Sequence, residues 1–156
     1  MIVRSTLFLV ALLSTALAAP EAPAYPEGYR GWSHVKSLQL GEGHPLAATF
    51  GGLHHVYVND TGVEALKANR ALPDGSVLVF DLFEVKTEGG ATSEGPRKFT
   101  AVMVKDAKKW AATGGWGFDA FAGDGRERVV KDGGASCFAC HASQQATDYV
   151  FSRWRG

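Results

Sequence analysis

One segment of the chain restricts the fold more than any other: residues 77–85 read VLVFDLFEV and follow the turn-forming residues PDGS. Valine and phenylalanine favour extended backbone, so this is the most strand-like stretch of the sequence. Because successive side chains of a strand point to opposite faces, the segment divides into two sets. One face carries Leu78, Phe80, Leu82 and Glu84, and the other carries Val77, Val79, Asp81, Phe83 and Val85.

Two neighbouring segments predict further strands. Residues 97–106, RKFTAVMVKD, predict a partner strand on which Phe99, Ala101 and Met103 point the same way. Residues 51–60, GGLHHVYVND, predict a strand that ends in a turn, and the two adjacent histidines of this strand must face opposite sides. The connections are mostly too short for parallel crossovers, so the sheet is expected to be antiparallel.

Short helices and one last strand complete the predicted elements. Thr61 and Glu64 form the pattern of a capping box and predict a short helix after the second strand. Residues 106–115 predict a short helix with a glycine stop, and residues 142–154 a final helical turn or two. Residues 126–134, RERVVKDGG, predict one last short strand. We therefore expect an α+β fold, mainly antiparallel β-sheet with a few short helices.

The N-terminus is typical of an exported protein. Residues 1–19 contain the basic residue Arg4, an apolar run and small residues at the end, which is the pattern of a secretory signal peptide. We expect this segment to be removed and the product to be periplasmic or otherwise exported, without membrane attachment; an uncleaved N-terminal anchor is the alternative. Residues 20–30 are then an extended, proline-rich leader, and residues 31–156 a single domain.

The charge composition argues against some classes of partner. Sixteen Lys and Arg residues balance sixteen Asp and Glu residues, which gives a formal net charge of zero. A balanced chain creates no broad field that would attract nucleic acid or anionic lipid. We therefore expect neither a nucleic acid nor a membrane among its partners.

The two cysteines carry the strongest chemical signal. Cys137, Cys140 and His141 form the sequence Cys-x-x-Cys-His, which is the attachment signature of c-type haem. Two thiols at this spacing can bond to the two vinyl groups of one porphyrin edge, and the next residue is then held beneath the iron. We predict one covalent haem c, with thioethers from Cys137 and Cys140 and with His141 as the iron ligand.

The sequence gives less support to three other roles for the cysteines. A thioredoxin-like redox pair is expected in a βαβ setting, whereas this motif lies at the end of the chain. A zinc site usually needs a second pair of cysteines, and the chain has only two. A disulfide within Cys-x-x-Cys closes a very small loop and stabilises little.

The position of the motif narrows the class of cytochrome. Small helical electron-transfer cytochromes carry the motif near the N-terminus and use a methionine far downstream, and here no methionine follows His141. Four-helix cytochromes c′ carry the motif near the C-terminus but need four long amphipathic helices. The strand-like middle of this chain does not supply them.

The sequence resembles the cytochrome P-460 and cytochrome c′-beta family, and more closely its c′-beta branch. The resemblance rests on YVND, PDGSVLVFD, FTAVMVKDAKKWAATGGWGFDAF and CFACH, which together cover about residues 56–141. It implies a compact antiparallel sheet with helices, one c-type haem that is open on its distal side, and a homodimer.

The resemblance also assigns a role to Phe80. P-460 members oxidise hydroxylamine or NO and carry a lysine that is cross-linked to the porphyrin, typically five residues after the glycine of the PDG turn. Counting from Gly75 reaches Phe80, which cannot form the link. The c′-beta members line the distal pocket with aromatic side chains, a role that suits Phe80 and Phe50; ordinary sheet core is the alternative for both.

Other candidate ligands remain open. Met103 can serve as a sixth iron ligand, which would make an electron-transfer cytochrome, although such a methionine more often fills a core. The histidines at 34, 44, 54 and 55 are more typical of surface or hydrogen-bonded positions.

The sequence favours ligand binding over turnover. An apolar cap over five-coordinate iron disfavours water and charged ligands, because burying a polar group without partners is costly. NO and similar diatomics then meet little competition. The cap itself offers no general acid or base for multi-step oxidation, so an NO-binding protein is expected ahead of an oxidoreductase that acts on hydroxylamine or NO.

Overall fold

A computed structural model describes residues 21–155; the predicted signal peptide, residues 1–19, lies outside the described residues. Five strands form one antiparallel sheet in sequence order, so each strand pairs with the strand before it. This confirms the expected α+β class with a mainly antiparallel sheet. The strands are β1 (Ser33–Leu40), β2 (Gly52–Val58), β3 (Val77–Glu88), β4 (Ala91–Lys105) and β5 (Trp116–Ala122).

The helices are short, as predicted. The predicted helix after β2 is present, but the capping box at Thr61 is wrong: the side chain of Asn59 caps the helix by accepting a hydrogen bond from the Gly62 N–H. The glycine stop of the next helical segment is Gly114, which adopts left-handed backbone. The α-helices are α1 (Ala47–Phe50), α2 (Asp60–Lys67) and α3 (Ala135–His141), and the 3₁₀ helices are Tyr29–Gly31, Ala111–Thr113 and Ala142–Thr147.

Four segments differ from the prediction. β4 begins at Ala91, so the polar stretch before Arg97 belongs to a long hairpin with β3. The predicted strand at 126–134 is wrong, since this segment makes only one isolated bridge, between Arg128 and Phe121. β1 and β5 were not predicted.

The sheet is covered on both sides. We call the face with Leu78, Phe80 and Leu82 the front face and the face with Val79 and Asp81 the back face. On the front face, one core cluster joins strand residues to α2, α3 and the C-terminal segment. On the back face, a second cluster is closed by aromatic residues from the N-terminal segment. Its buried members are Tyr29, Val79, Val102 and Phe121.

A buried carboxylate organises the back face. Asp81 is fully buried, and it accepts hydrogen bonds from the Tyr29 hydroxyl at 2.7 Å, from Arg97 Nε at 2.7 Å and from Arg30 Nε at 3.2 Å. Both guanidinium groups also stack on the ring of Phe83, at 4.8 Å and 5.1 Å from its centroid. A buried charge with several good partners is tolerated, whereas an unpaired one is costly. This network joins the N-terminal segment to β3 and β4.

Candidate haem-binding site

The helix that carries the motif is fixed at its start. Asp132 accepts hydrogen bonds from the Gly134 N–H at 3.0 Å and from the Ser136 N–H at 2.9 Å, so it satisfies two free donors at the beginning of α3. Gly134 has φ 89°, and a Cβ there would lie 2.9 Å from the Cβ of Phe118. Glycine therefore permits α3 to approach β5 closely.

The imidazole of His141 is held in one tautomer. Its Nδ1–H donates to the carbonyl oxygen of Tyr149 at 2.7 Å, which leaves the lone pair on Nε2 for another partner. Burial lowers the pKa of His141, so the ring is neutral near pH 7. The ring centroid lies 5.0 Å from that of Phe118 and 5.0 Å from that of Phe151. This is the state of an imidazole that can ligate a metal.

The two cysteines differ in environment. Cys137 packs partly buried against the front-face core, Cys140 is exposed, and both thiols are free. Burial raises the pKa of Cys137, which is opposite to the lowered pKa of a reactive redox cysteine. The sheet also lacks the βαβ setting of that class, since all of its pairs are antiparallel. In residues 21–155, no three His, Cys, Asp or Glu side chains are grouped to hold a metal ion, so this range provides no ligand set for zinc.

Three phenylalanines form a cluster on the front face, which we call the aromatic cap. Phe50 is the last residue of α1, Phe80 lies on β3 and Phe99 lies on β4. The three ring centroids are each 6.1 Å apart. All three side chains are only half-buried. The structure therefore brings together the two predicted residues Phe50 and Phe80. Phe99 was not predicted as a site residue. The alternation that places it on the same strand face as Ala101 and Met103 could have indicated it.

The front face is apolar around the aromatic cap, as a haem site requires. Phe80 of β3 lies opposite Ala101 of β4, which lies opposite Ala120 of β5. One row across the sheet therefore contains a phenylalanine followed by two alanines. Met103 is half-buried and lies between Leu78 and Phe118 in the neighbouring row. Contiguous apolar residues that remain partly exposed are typical of a binding surface. Together with the neutral imidazole of His141, these residues fit a flat apolar group with an iron centre.

A histidine stands directly beside the aromatic cap. The ring of His54 is 4.5 Å from that of Phe80, and its Nε2–H donates to the carbonyl oxygen of Phe50. Its Nδ1 has no hydrogen-bond partner, and burial lowers its pKa. His54 thus faces the front and His55 the back, as their alternation predicted. The expectation of a cap without any acid or base nearby is therefore incomplete.

The charged side chains of β3 and β4 are exposed or paired with protein groups. Arg97 binds Asp81 on the back face, and Glu84 is exposed. Lys98 donates to the carbonyl oxygen of Gly51 at 2.9 Å. Lys105 is buried and makes an ion pair of 2.6 Å with Asp148. Both lysines are therefore engaged with protein groups.

A helix with a Cys-x-x-Cys-His motif, docked beside an apolar sheet face, defines the class of c-type haem proteins. The family model described as Cytochrome P460 matches residues 26–152, nearly the whole of the chain after the predicted signal peptide. The chain belongs to this family, which confirms the resemblance seen in the sequence and implies a c-type haem. No curated protein matches the chain. Within the described residues, no helix is long and apolar enough to cross a membrane.

Proposed function

We propose that this protein is an exported haem protein that binds NO, or a similar small diatomic, at an open and apolar distal face. Cys137 and Cys140 form the thioethers, and His141 provides the axial imidazole. The observation that carries the proposal is the aromatic cap: Phe80 stands where a cross-linking lysine is expected, and it packs with Phe50 and Phe99. The closer resemblance to the c′-beta branch supports the same function.

The side chains of the cap act by exclusion. Haem iron, when bound, supplies the coordination position for the diatomic ligand. Phe50, Phe80 and Phe99 offer no hydrogen-bond donor, so water and charged ligands would lose their hydration without compensation. A small and nearly neutral ligand loses little. Selectivity on this face therefore comes from polarity and size.

Oxidation of hydroxylamine or NO is a second candidate, and His54 is the observation that favours it. Multi-step oxidation requires proton transfer, and the unpartnered Nδ1 of His54 is a buried acceptor next to Phe80. Its other nitrogen already donates to Phe50, and its pKa is lowered by burial. These contacts therefore favour a structural role for His54 beside the aromatic cap over a catalytic role.

The absorption spectrum of the purified protein, ferric and ferrous, with and without NO, tests the proposal. A high-spin spectrum at ordinary c-type positions that shifts on addition of NO is expected. A ferrous protein that fails to bind NO contradicts it. Replacement of both Cys137 and Cys140 by alanine is the control, and we expect no covalent haem in this variant.

Peptide mass spectrometry separates the two candidate functions. An oxidase of the P-460 type carries a lysine bonded to the porphyrin, so one tryptic peptide would gain the mass of haem at a lysine. We expect haem only on the peptide that contains Cys137 and Cys140. The peptides of Lys98 and Lys105 require the closest inspection, because both lysines lie on β4, the strand that carries Phe99 and Met103. A haem–lysine adduct in either peptide would establish the oxidase instead.

Location and assembly are part of the proposal. The signal-like pattern of residues 1–19 supports export to the periplasm, and cell fractionation tests it. A homodimer is supported by the family resemblance and by β1, which pairs only with β2 within the described residues and so leaves one edge open. Light scattering on the purified haem protein tests the dimer.

A further inference from the structure

Two consecutive residues after the motif have strained backbone. Asp148 has φ 54° and Tyr149 has φ 63°, and neither is a glycine. Left-handed backbone is unfavourable at such a residue, so the surrounding contacts must hold it. We call Asp148 and Tyr149 the proximal turn. Strain of this kind usually persists where a particular backbone group has to be presented.

The group that the proximal turn presents is a carbonyl oxygen. Tyr149 O accepts the hydrogen bond from His141 Nδ1 at 2.7 Å, and Tyr149 N–H donates to Gln144 O at 2.8 Å. The ring of Tyr149 packs closely on Gly114, where any Cβ would collide with it. It also lies 5.6 Å from the ring of Phe138, a residue within the motif. The turn is therefore packed directly against α3.

Three protein groups hold Asp148 in place. Its carboxylate accepts from Lys105 Nζ at 2.6 Å and from the Leu72 N–H at 2.8 Å. Its carbonyl oxygen accepts from Trp116 Nε1 at 2.9 Å. Lys105 is 9 % exposed and Trp116 is fully buried, so the anchors belong to the packed core and not to the surface. Lys105 also lies 4.9 Å from the centre of the Trp116 ring.

From this arrangement we propose that Asp148 is a positioning residue for the axial imidazole, and that Lys105 and Trp116 hold it in that role. The proposal rests on the proposed ligation of haem by His141. A hydrogen bond from the second ring nitrogen makes an imidazole a stronger electron donor to its metal. Stronger donation stabilises the oxidised iron and lowers the reduction potential. The proximal turn thus sets the strength of the iron–histidine bond.

Two substitutions at one position test this. In Asp148→Ala, the carboxylate is lost and left-handed backbone becomes unfavourable, so the turn relaxes. We expect the iron–histidine stretch in the resonance Raman spectrum of the ferrous protein to fall, and the reduction potential to rise. In Asp148→Asn, an acceptor remains and asparagine tolerates left-handed backbone. We expect its iron–histidine stretch to stay close to that of the wild type.

The pair of variants separates geometry from charge. Loss of the negative charge alone would raise the potential in both variants and leave the iron–histidine stretch unchanged in both, which would overturn the proposal. The exposed ion pair of Glu64 and Lys67 provides a control, since Glu64→Gln removes a carboxylate far from the motif in sequence. If Asp148→Ala does not fold, Trp116→Phe removes one anchor and should lower the stretch by a smaller amount.

Failure of the proposed function gives a different result. A wild-type protein without a histidine-ligated haem shows no iron–histidine stretch at all, and then the proposed function itself is wrong. A wild-type stretch that persists unchanged in Asp148→Ala overturns only the role of Asp148.

Discussion

The two faces of the sheet differ in the polarity of the residues that cover them. On the back face, Asp81 is buried, and its two carboxylate oxygens accept hydrogen bonds from Tyr29, Arg30 and Arg97. On the front face, the aromatic cap and Met103 remain half-exposed beside a dense core. The back face also carries partly buried apolar residues, but its buried carboxylate is paired with groups of its own chain. The front face is apolar, which suits the binding of an apolar group.

This difference separates stability from function. Charge pairs and cation–ring contacts on the back face hold the N-terminal segment on the sheet, and substitutions there should act on folding. Apolar rings on the front face form the proposed ligand site, and substitutions there should act on the ligand.

Asp81→Ala should produce the largest loss of stability. It leaves Arg97 partly buried without its main partner and removes the acceptor of the Tyr29 hydroxyl. We expect the free energy of unfolding to fall by about 3–5 kcal/mol in denaturant titrations. Glu94→Gln, at an exposed contact of Arg30, should cost less than about 1 kcal/mol. A changed NO spectrum in folded Asp81→Ala would break the division between the faces.

Phe80→Ala and Phe83→Ala compare the same residue type on the two faces. Phe83 is 5 % exposed and carries both guanidinium groups, so its loss should cost about 3–5 kcal/mol. Phe80 is half-buried, and its loss should cost about 2 kcal/mol. Only Phe80→Ala should admit larger ligands: we expect imidazole to bind the ferric protein at least about tenfold more tightly, which is about 1.4 kcal/mol. Equal imidazole affinity in both variants would contradict a capping role.

The buried imidazole of His54 makes stability depend on pH. Its pKa in the folded protein lies below the ordinary value of 6.5, mainly because burial disfavours the charged ring. The unfolded chain then binds more protons, so this contribution is complete above about pH 6.5 and is lost as the pH falls towards the lower, folded pKa. The slope is at most about 1.4 kcal/mol per pH unit.

Comparison with a variant isolates this contribution. His54→Gln should show a shallower loss of unfolding free energy between pH 6.5 and pH 5 than the wild type. His141 is present in both proteins, and its contribution cancels in the difference. Identical slopes would mean that His54 has the same pKa in the folded and the unfolded protein.

Met103→Leu should have the smallest effect. Met103 packs beside Leu78 and Phe118, and a swap of similar volume costs less than about 1.5 kcal/mol. We expect the high-spin ferric spectrum to remain unchanged. A wild-type spectrum that is low-spin and becomes high-spin in this variant would identify Met103 as an iron ligand and an electron-transfer protein.

Local patterns in the sequence predicted much of the fold. Alternation in β3 assigned Phe80 and Asp81 to opposite faces, and the structure confirms this. β5 was missed because six of its seven residues are buried, so it shows no alternation. The false strand at 126–134 was suggested by its adjacent valines, of which Val129 is 45 % exposed. β-branched residues alone do not show that a partner strand exists.

The motif of the proposed site can be found in the sequence, whereas most of the contacts around it cannot. The spacing of Cys137, Cys140 and His141 is local, and its chemistry can be read from the sequence. The contact of Lys105 with Asp148 joins residues 43 positions apart, and the acceptor for His141 is a backbone carbonyl that any residue could supply. Neither contact leaves a pattern in the sequence. Such contacts emerge only when the fold brings distant segments together.

The sequential order of the strands has a consequence for how the protein is made. Each strand pairs with its predecessor, so all five strands have been synthesised by residue 122, before the motif at residues 137–141 appears. Segments that pair with near neighbours can form early, and chains fold from the N-terminus as they emerge. The strands are therefore complete in the sequence before α3 and the C-terminal segment, which supply the last residues of the front-face core.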